Sequence, residues 1–126
     1  MRALLLGALL LAGCAARPWQ IGVASWYGPG FAGRPTASGD TFRPARHTAA
    51  HKELAFGSVV VVVRVDTGRR VRVVVNDRGP FVAGRVLDLS KGAARRLDMI
   101  QAGTAEVRWK VVGCRRGYDG PRGCGR

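Results

Sequence analysis

The chain has 126 residues and a formal net charge of +13, because 21 lysines and arginines face only eight aspartates and glutamates. This length allows one small domain with a single core. Arginine outnumbers lysine 18 to 3, and its planar guanidinium group suits paired contacts with carboxylates and phosphates. Charge alone would suggest a nucleic acid as the partner.

The first 14 residues have the pattern of an export signal, which argues against that partner. Arg2 supplies a positive start, residues 3–11 are apolar, and Ala12 and Gly13 come directly before Cys14. The apolar run is shorter than the about 20 residues of a membrane-spanning helix, so it predicts a secretory signal. Its end resembles the lipobox of bacterial lipoproteins, in which the cysteine receives a diacylglycerol and becomes the N-terminus. An ordinary signal peptide is the alternative.

Under the lipoprotein interpretation, residues 1–13 are the signal peptide and residues 14–20 are a lipidated tether. Cleavage leaves 113 residues with a net charge of +12 in the cell envelope. The anionic partners there are lipid headgroups, lipopolysaccharide phosphates and peptidoglycan carboxylates rather than nucleic acid. Ala15, where an Asp would resemble an inner-membrane retention signal, favours the outer membrane. We therefore expect a lipid-anchored monomer that faces the periplasm from the outer membrane.

Cys114 and Cys124 remain as an even pair of thiols in an oxidising compartment. A disulfide between them would close a short loop rich in glycine and arginine, and is worth roughly 3 kcal/mol on the loop-entropy model. No metal site is predicted, because His47 and His51 are far from the cysteines and no zinc-ligand spacing is present. Residues 113–126 are therefore interpreted as a tail held by a disulfide.

Local patterns in the first part of the domain predict strands and a long loop. Ile21 to Ser25 predicts a short strand, and glycines and prolines interrupt any regular element from Gly28 to Phe42. Thr48 to Lys52 is interpreted as one helical turn. Two β-branched runs, Val59 to Val65 and Val71 to Val75, flank a turn signal and predict a hairpin.

The second part of the domain adds two strands and a helix. Arg85 to Leu89 predicts a strand, and Ser90 is the predicted N-cap of a helix from Lys91 to Leu97. Ala105 to Val112 alternates apolar and charged residues, as a half-buried strand does. The valine runs alternate little, which favours strands covered on both faces or curled into a small barrel. No internal repeat, long linker or second domain is apparent.

Four segments in chain order, followed by a tripeptide, resemble the rare lipoprotein A family over residues 21–112. The resemblance implies a mainly β fold, a small six-stranded double-psi β-barrel with one or two short helices. It also implies a lyase, a lytic transglycosylase that cuts the MurNAc–GlcNAc bond of stem-free peptidoglycan strands and leaves 1,6-anhydroMurNAc ends. No septum-targeting repeat is apparent, so recruitment to the division site is not predicted. The segments are Gly22–Gly28, Gly33–Asp40, Thr48–His51, Val75–Phe81 and Asp88–Ser90.

This reaction requires one carboxylic acid, which protonates the leaving glycosidic oxygen and then, as a base, takes the proton of the sugar's own C6 hydroxyl. No metal or organic cofactor is needed. Asp40 is the first catalytic candidate, because the family position after Thr-Ala-Ser-Gly is usually Glu and is treated as catalytic. The alternative is an Asx-type turn, in which the side chain binds its own backbone.

Asp77 and His51 are the supporting catalytic candidates. Asp77 follows a buried strand, and backbone N–H groups or Arg78 would keep it ionised. An ionised group is better suited to orient a partner or stabilise oxocarbenium charge than to donate a proton. His51 titrates near neutral pH and would position substrate or tune an acid. For both residues a purely structural role is the alternative.

Substrate contacts are predicted for side chains in or beside the motif loops. The aromatic ones would stack on sugar rings, with core or lid packing as the alternative. The basic ones would bind the lactyl carboxylates of stem-free MurNAc, with a solvated basic surface as the alternative. The aromatic candidates are Trp26, Tyr27, Phe31 and Phe42, and the basic candidates are Arg34, Arg43, Arg46 and Arg78.

Arg43 departs from the family pattern, which has an acid three positions beyond the catalytic residue. A cation here would favour the ionised form of Asp40 and oppose proton donation. Asp in place of Glu also withdraws the carboxyl group by about 1.5 Å, and about 1 Å of misplacement costs up to two orders of magnitude in rate. A non-catalytic lipoprotein that binds peptidoglycan is therefore the alternative function. A third is a structural lipoprotein that binds lipopolysaccharide through its C-terminal loop.

Overall fold

The two valine runs form the predicted hairpin. In this computed structural model, which describes residues 17–125, β3 (Ser58–Arg64) and β4 (Arg70–Asp77) pair antiparallel. Val60 and Val62 of β3, with Val73 and Val75 of β4, are almost fully buried. Because β-branched side chains pack well on a pleated surface, the runs favour both the strands and the core that they line.

Four further strands close the sheet into a barrel with the order β1-β5-β2-β4-β3-β6. The β1–β5 and β2–β4 pairs are parallel, and the other four pairs are antiparallel. The six-stranded barrel expected from the family resemblance is therefore confirmed. These strands are β1 (Gln20–Trp26), β2 (Thr48–Ala50), β5 (Arg85–Leu89) and β6 (Thr104–Cys114).

One short helix, α1 (Lys91–Arg96), covers part of the core. Ser90 is its N-cap as predicted, and its hydroxyl accepts a hydrogen bond from the amide of Ala93 at 3.3 Å. Ala93 and Ala94 are fully buried, because small side chains let the helix approach the barrel closely. Among residues 17–125, no helix has the length and apolar character needed to cross a membrane.

The prediction of a helical turn at residues 48–52 was wrong. Thr48 to Ala50 form β2, which pairs parallel with β4 and antiparallel with β5. A three-residue segment has little local preference, so its pairing with distant strands decides its conformation. Strand β1 also begins at Gln20, one residue inside the predicted tether. The predicted signal peptide and Cys14 lie outside the described residues.

The chain beyond β6 folds back on the barrel. A disulfide joins Cys114 to Cys124. The amide of Phe56 donates to the carbonyl of Arg122, and the amide of Cys124 donates to the carbonyl of Phe56, both at 2.8 Å. We call residues 115–124 the C-terminal loop. These backbone contacts place the loop beside the segment that enters β3.

Candidate active site

An open groove of about 960 Å³ lies on the outer face of β4. Arg72, Val74 and Asn76 line it, while Val71 and Val75 belong to the core, as the alternation of side chains along a strand requires. Residues 40–48 form one wall and the C-terminal loop forms another. The charged side chains that line the groove are Asp40, Arg43, Arg46, Arg72, Arg115 and Arg116.

Asp40 is the one carboxylate among the described residues that line this groove. Its Oδ2 atom accepts hydrogen bonds from Asn76 Nδ2, at 3.2 Å, and from the hydroxyl of Tyr118. Its Oδ1 atom has no hydrogen-bond partner within residues 17–125. The side chain does not bind its own backbone as an Asx turn would. One oxygen is held in place and the other is available to a ligand.

The loop that carries Asp40 is attached to the end of β4. The amide of Ser38 donates to the carbonyl of Asn76 at 3.1 Å, and the amide of Ala37 donates to Asp77 Oδ1 at 2.9 Å. Gly39 has a φ of +95°, a conformation that a side chain would strain. The Thr-Ala-Ser-Gly motif therefore forms a tight turn that presents Asp40 to the groove.

Asp77 is held by hydrogen-bond donors and does not line the groove. Its carboxylate accepts from the Tyr27 hydroxyl at 2.7 Å, from the Ala37 amide at 2.9 Å and from the Arg78 amide at 2.9 Å. The guanidinium of Arg78 instead donates to the carbonyl of Leu54 at 2.7 Å. Of the two predicted ways of holding Asp77, the structure therefore shows the backbone N–H groups, supplemented by a tyrosine.

His51 caps the turn that follows β2. Its Nδ1 atom accepts from the amides of Glu53, at 2.9 Å, and Leu54, at 3.0 Å. The ring packs edge-on against Trp109 at 5.1 Å between centroids, and burial lowers the pKa of His51. Because Nδ1 is already an acceptor, the ring is neutral, and it is not among the groove's lining residues.

The capping contact of His51 predicts that the stability of the protein depends on pH. A substitution of His51 should remove this part of the pH dependence. Since the pKa of His51 is lowered on folding, the unfolded chain binds the extra proton first, and the free energy of unfolding decreases as pH falls below about 6.5. His51→Asn places an oxygen where Nδ1 was, so it keeps the cap and loses this part of the pH dependence.

Urea unfolding at about pH 8 and about pH 5 measures this effect. His51→Ala is the control, which loses the acceptor and is expected to be about 1 kcal/mol less stable than the wild type near pH 8. Equal losses of stability on acidification in the wild type and His51→Asn would contradict the assignment.

The predicted aromatic contacts form a separate cluster. Tyr27 packs against Phe31 at 5.4 Å and Phe42 at 4.6 Å between centroids. Trp26 is half-buried and packs against the core. None of these rings lines the groove. The cluster of Tyr27, Phe31 and Phe42 therefore supports Asp77 and the Asp40 loop from outside the groove.

The predicted basic contacts divide into two groups. Arg43 and Arg46 line the groove, whereas Arg34 and Arg78 do not. Arg34 lies over the ring of Phe31 at 6.0 Å. The residues that were not predicted as glycan contacts, although they line the groove with charge or hold Asp40, are Arg72, Asn76, Arg115, Arg116 and Tyr118.

Arg43, the predicted cation near Asp40, does not form an ion pair with it. Within residues 17–125, one ion pair has its N and O atoms within 4.0 Å, and it joins Arg64 to Asp66 at 2.7 Å. Arg43 shares the groove with Asp40 without contacting its carboxylate, whose partners are neutral donors. In the same part of the chain no three His, Cys, Asp or Glu side chains are arranged to hold a metal ion.

The sequence profile of the family described as lytic transglycolase, a double-psi β-barrel domain, matches residues 20–109. The chain belongs to this family. The matched residues run from the first strand of the barrel into the last one, so they include the loop of Asp40 and the end of β4.

Curated relatives confirm the resemblance to the rare lipoprotein A family. The endolytic peptidoglycan transglycosylase RlpA of Campylobacter jejuni is 53% identical over 92 residues, which cover 73% of this chain and 34% of that protein. The corresponding protein of Helicobacter pylori is 51% identical, with coverage of 73% and 29%. A probable RlpA of Nostoc sp. is 57% identical over 94 residues, with coverage of 73% and 25%. The chain therefore spans about a third or less of the length of these relatives.

Solved structures share the fold. The Streptomyces papain inhibitor has a TM-score of 0.63 and 24% identity, with 76% of this chain and 96% of that chain covered. The expansin of Clavibacter michiganensis, solved without ligand, has a TM-score of 0.59 and 25% identity, with coverage of 82% and 54%. These structural similarities support the barrel fold and say nothing about activity.

Proposed function

We propose that this chain is an endolytic peptidoglycan lytic transglycosylase with Asp40 as its acid and base. The observation that carries the proposal is the position of Asp40, the one carboxylate among the described residues of a groove whose other charged side chains are arginines. Membership of the lytic transglycolase family supports the reaction class. A lone carboxylate is sufficient for this chemistry, because the substrate supplies its own nucleophile.

The reaction proceeds in two proton transfers at Asp40. The protonated carboxyl group gives its proton to the glycosidic oxygen while the bond from MurNAc C1 to that oxygen breaks. The carboxylate then takes the proton of the MurNAc C6 hydroxyl as its oxygen bonds to C1. The products are a 1,6-anhydroMurNAc end and a GlcNAc end with a free hydroxyl. No water is consumed, and Asp40 returns to its protonated state.

The contacts around Asp40 assign its two oxygens different tasks. Asn76 and Tyr118 hold Oδ2, so Oδ1 is the atom that exchanges the proton with substrate. Asp77 supports the site by holding the Asp40 loop through the amide of Ala37. His51 supports it more remotely, because its own amide donates to the carbonyl of Asp77 at 3.1 Å.

The arginines of the groove are proposed to bind the lactyl carboxylates of MurNAc. A glycan strand without peptide stems carries one such carboxylate on every second sugar, so it is a regularly charged polymer. Guanidinium groups bind carboxylates through paired hydrogen bonds. None of these side chains forms an ion pair among the described residues, so they are available to substrate. They are Arg43, Arg46, Arg72, Arg115 and Arg116.

Binding of stem-free glycan is therefore expected to weaken with salt. Co-sedimentation with stripped sacculi should fall severalfold between about 20 mM and about 500 mM NaCl, because salt screens charges on this open surface. Arg72→Gln should weaken binding about threefold to tenfold at low salt. Arg95→Gln is the matched control, since Arg95 is exposed on α1 and does not line the groove. Binding that is unchanged in high salt would contradict this role.

The test of the activity is digestion of purified stem-free peptidoglycan, followed by mass spectrometry for anhydroMurNAc ends, with heat-denatured protein as control. A second function, a non-catalytic peptidoglycan-binding lipoprotein, is favoured by Arg43, which stands where the family has an acid. It predicts no anhydro product from the wild type and sacculus binding that survives Asp40→Ala. The two functions therefore give opposite results in one assay.

The location in the envelope is also a proposal. We infer that Cys14 carries a diacylglycerol and a palmitoyl group, and that the barrel is thereby anchored, as a monomer, to the outer membrane on its periplasmic side. This rests on the lipobox-like residues before Cys14. Globomycin sensitivity and metabolic labelling with a palmitate analogue, compared with Cys14→Ser, test it.

A further inference from the structure

We propose that Tyr118 is a positioning residue for Asp40 and that the Cys114–Cys124 disulfide holds Tyr118 in place. The oxidised C-terminal loop thereby completes the active site. This inference rests on the proposed role of Asp40 as acid and base. The C-terminal loop thereby has a function in the active site, the positioning of Asp40, that the barrel alone does not provide.

The first observation is the contact itself. The Tyr118 hydroxyl donates to Asp40 Oδ2, the same atom that accepts from Asn76 Nδ2 at 3.2 Å. Burial, followed by the hydrogen bond to Asp40, raises the pKa of Tyr118 to about 12. The phenol therefore remains protonated, and remains a donor, at any physiological pH.

The second observation is how the C-terminal loop is attached. Tyr118 lies between the two cysteines of the disulfide. The amide of Arg115 donates to the carbonyl of Gly57 at 2.8 Å, and the amide of Gly125 donates to the carbonyl of Tyr118 at 2.9 Å. The Arg115 bond and the backbone contacts of Phe56 fix both ends of the loop on the segment that enters β3, while the Gly125 bond holds the backbone of Tyr118 within the tail. Tyr118 itself lines the groove.

The third observation is the glycine under the loop. Gly57 has a φ of +91°, and a Cβ atom built there would lie 2.7 Å from Cys124 Sγ and 2.7 Å from Tyr118 Cβ. No side chain fits in that space, so the close approach of the disulfide and the tyrosine depends on glycine at this position. The barrel surface is thus shaped to receive the loop.

The fourth observation is that the disulfide and Tyr118 lie beyond the residues that the family profile matches. The profile ends at residue 109, before Cys114, Tyr118 and Cys124. The support that Tyr118 gives to Asp40 therefore comes from outside the matched part of the barrel. Without that support, Asn76 would be the one remaining donor that holds Oδ2 within the described residues, and Asp40 could turn toward the arginines of the groove. A small displacement of a catalytic group is costly in rate.

Tyr118→Phe tests the positioning role, because it keeps the ring and removes only the donor. We expect turnover to anhydroMurNAc ends to fall about tenfold or more, since the bond is to a carboxyl oxygen that carries charge once Asp40 has given its proton to the substrate. The KM, sacculus binding and the melting temperature should change little. A merely structural tyrosine predicts unchanged turnover in this variant, which would overturn the inference.

The disulfide is tested by a double-mutant cycle. Cys114→Ser with Cys124→Ser should lower turnover to about the level of Tyr118→Phe, and combining all three substitutions should lower it no further, because the disulfide and the phenol act through one contact. Mild reduction of the wild type should have the same effect as the serine pair. Additive losses would show that the disulfide acts independently of Tyr118 and would overturn the second half of the inference.

A spectroscopic measurement reads the contact without activity. The chain has two tyrosines, so ¹³Cζ-labelled tyrosine gives two signals, which Tyr118→Phe assigns. The serine pair should lower the pKa of Tyr118 from about 12 toward the ordinary value of about 10. An unchanged pKa of Tyr118 in the serine pair would overturn the proposal that the disulfide holds Tyr118 in place.

The outcomes distinguish the inference from the function on which it rests. If Asp40→Asn is as active as the wild type, the proposed role of Asp40 fails. If Asp40→Asn is inactive while Tyr118→Phe is fully active, only the positioning role of Tyr118 fails.

Discussion

Asp40→Asn is expected to lower the formation of anhydroMurNAc ends by at least about a hundredfold, because general acid and base catalysis contributes factors of this size or larger. Asn has the same shape as Asp and keeps an oxygen that accepts from Asn76 and Tyr118. The groove therefore stays intact while the proton donor is lost. Since one negative charge leaves a cationic groove, binding of the anionic glycan should be retained or slightly strengthened.

Product analysis by mass spectrometry and co-sedimentation with stripped sacculi measure the two effects separately. Asp66→Asn is the matched control, because Asp66 does not line the groove and its side chain is largely exposed. It should leave turnover unchanged. If Asp40→Asn keeps more than about a tenth of the wild-type rate, another group donates the proton.

Asp77→Ala is expected to cost both stability and activity. It removes the acceptor for three donors: the Tyr27 hydroxyl and the amides of Ala37 and Arg78. Leaving such donors unpaired should lower the free energy of unfolding by about 2–3 kcal/mol. Because the Ala37 contact holds the Asp40 loop, turnover should also fall about tenfold or more.

Asp77→Asn distinguishes a role of Asp77 in holding the Asp40 loop from a role in the proton transfer. Asp77 Oδ1 accepts from both amides, and Oδ2 accepts from Tyr27. In Asn, the oxygen continues to accept from the amides, and the amide nitrogen donates to the tyrosine oxygen. We expect stability within about 1 kcal/mol of the wild type and turnover within severalfold.

The comparison of two Asn variants then decides which carboxylate is the acid. Denaturant unfolding and product analysis should show Asp77→Asn as folded and active, and Asp40→Asn as folded and inactive. If Asp77→Asn is folded and as inactive as Asp40→Asn, Asp77 takes part in the proton transfer itself. The role proposed here for Asp77 would then be wrong.

Local patterns predicted most strands because the signals for them are local. The valine runs of β3 and β4 and the turn between them form a hairpin from neighbouring residues, and Ser90 caps α1 through a contact three residues away. β2 was missed for the opposite reason. Its pairing of Ala49 with Val75 and with Leu89 exists only when the barrel closes.

The difference between local and long-range contacts also applies to the active site. The motif resemblance pointed to Asp40, but its partners, Asn76 and Tyr118, are 36 and 78 residues away in the chain. Arg43, three residues away, was expected to favour the ionised form of Asp40; it lines the same groove but forms no ion pair with Asp40. The lone tyrosine between two cysteines was the one available signal for Tyr118, and it does not indicate which residue the tyrosine contacts.

The sequence by itself determined that this is a β-rich barrel of the lytic transglycolase family, with Asp40 on a glycine-rich loop and a cysteine pair near the C-terminus. Those features follow from local preferences and from short motifs. Only the tertiary structure decided what the polar groups do: Asp77 holds the loop, His51 caps a turn, and Tyr118 reaches Asp40. Hydrogen bonds between distant residues depend on the register and closure of the barrel, which no local pattern specifies.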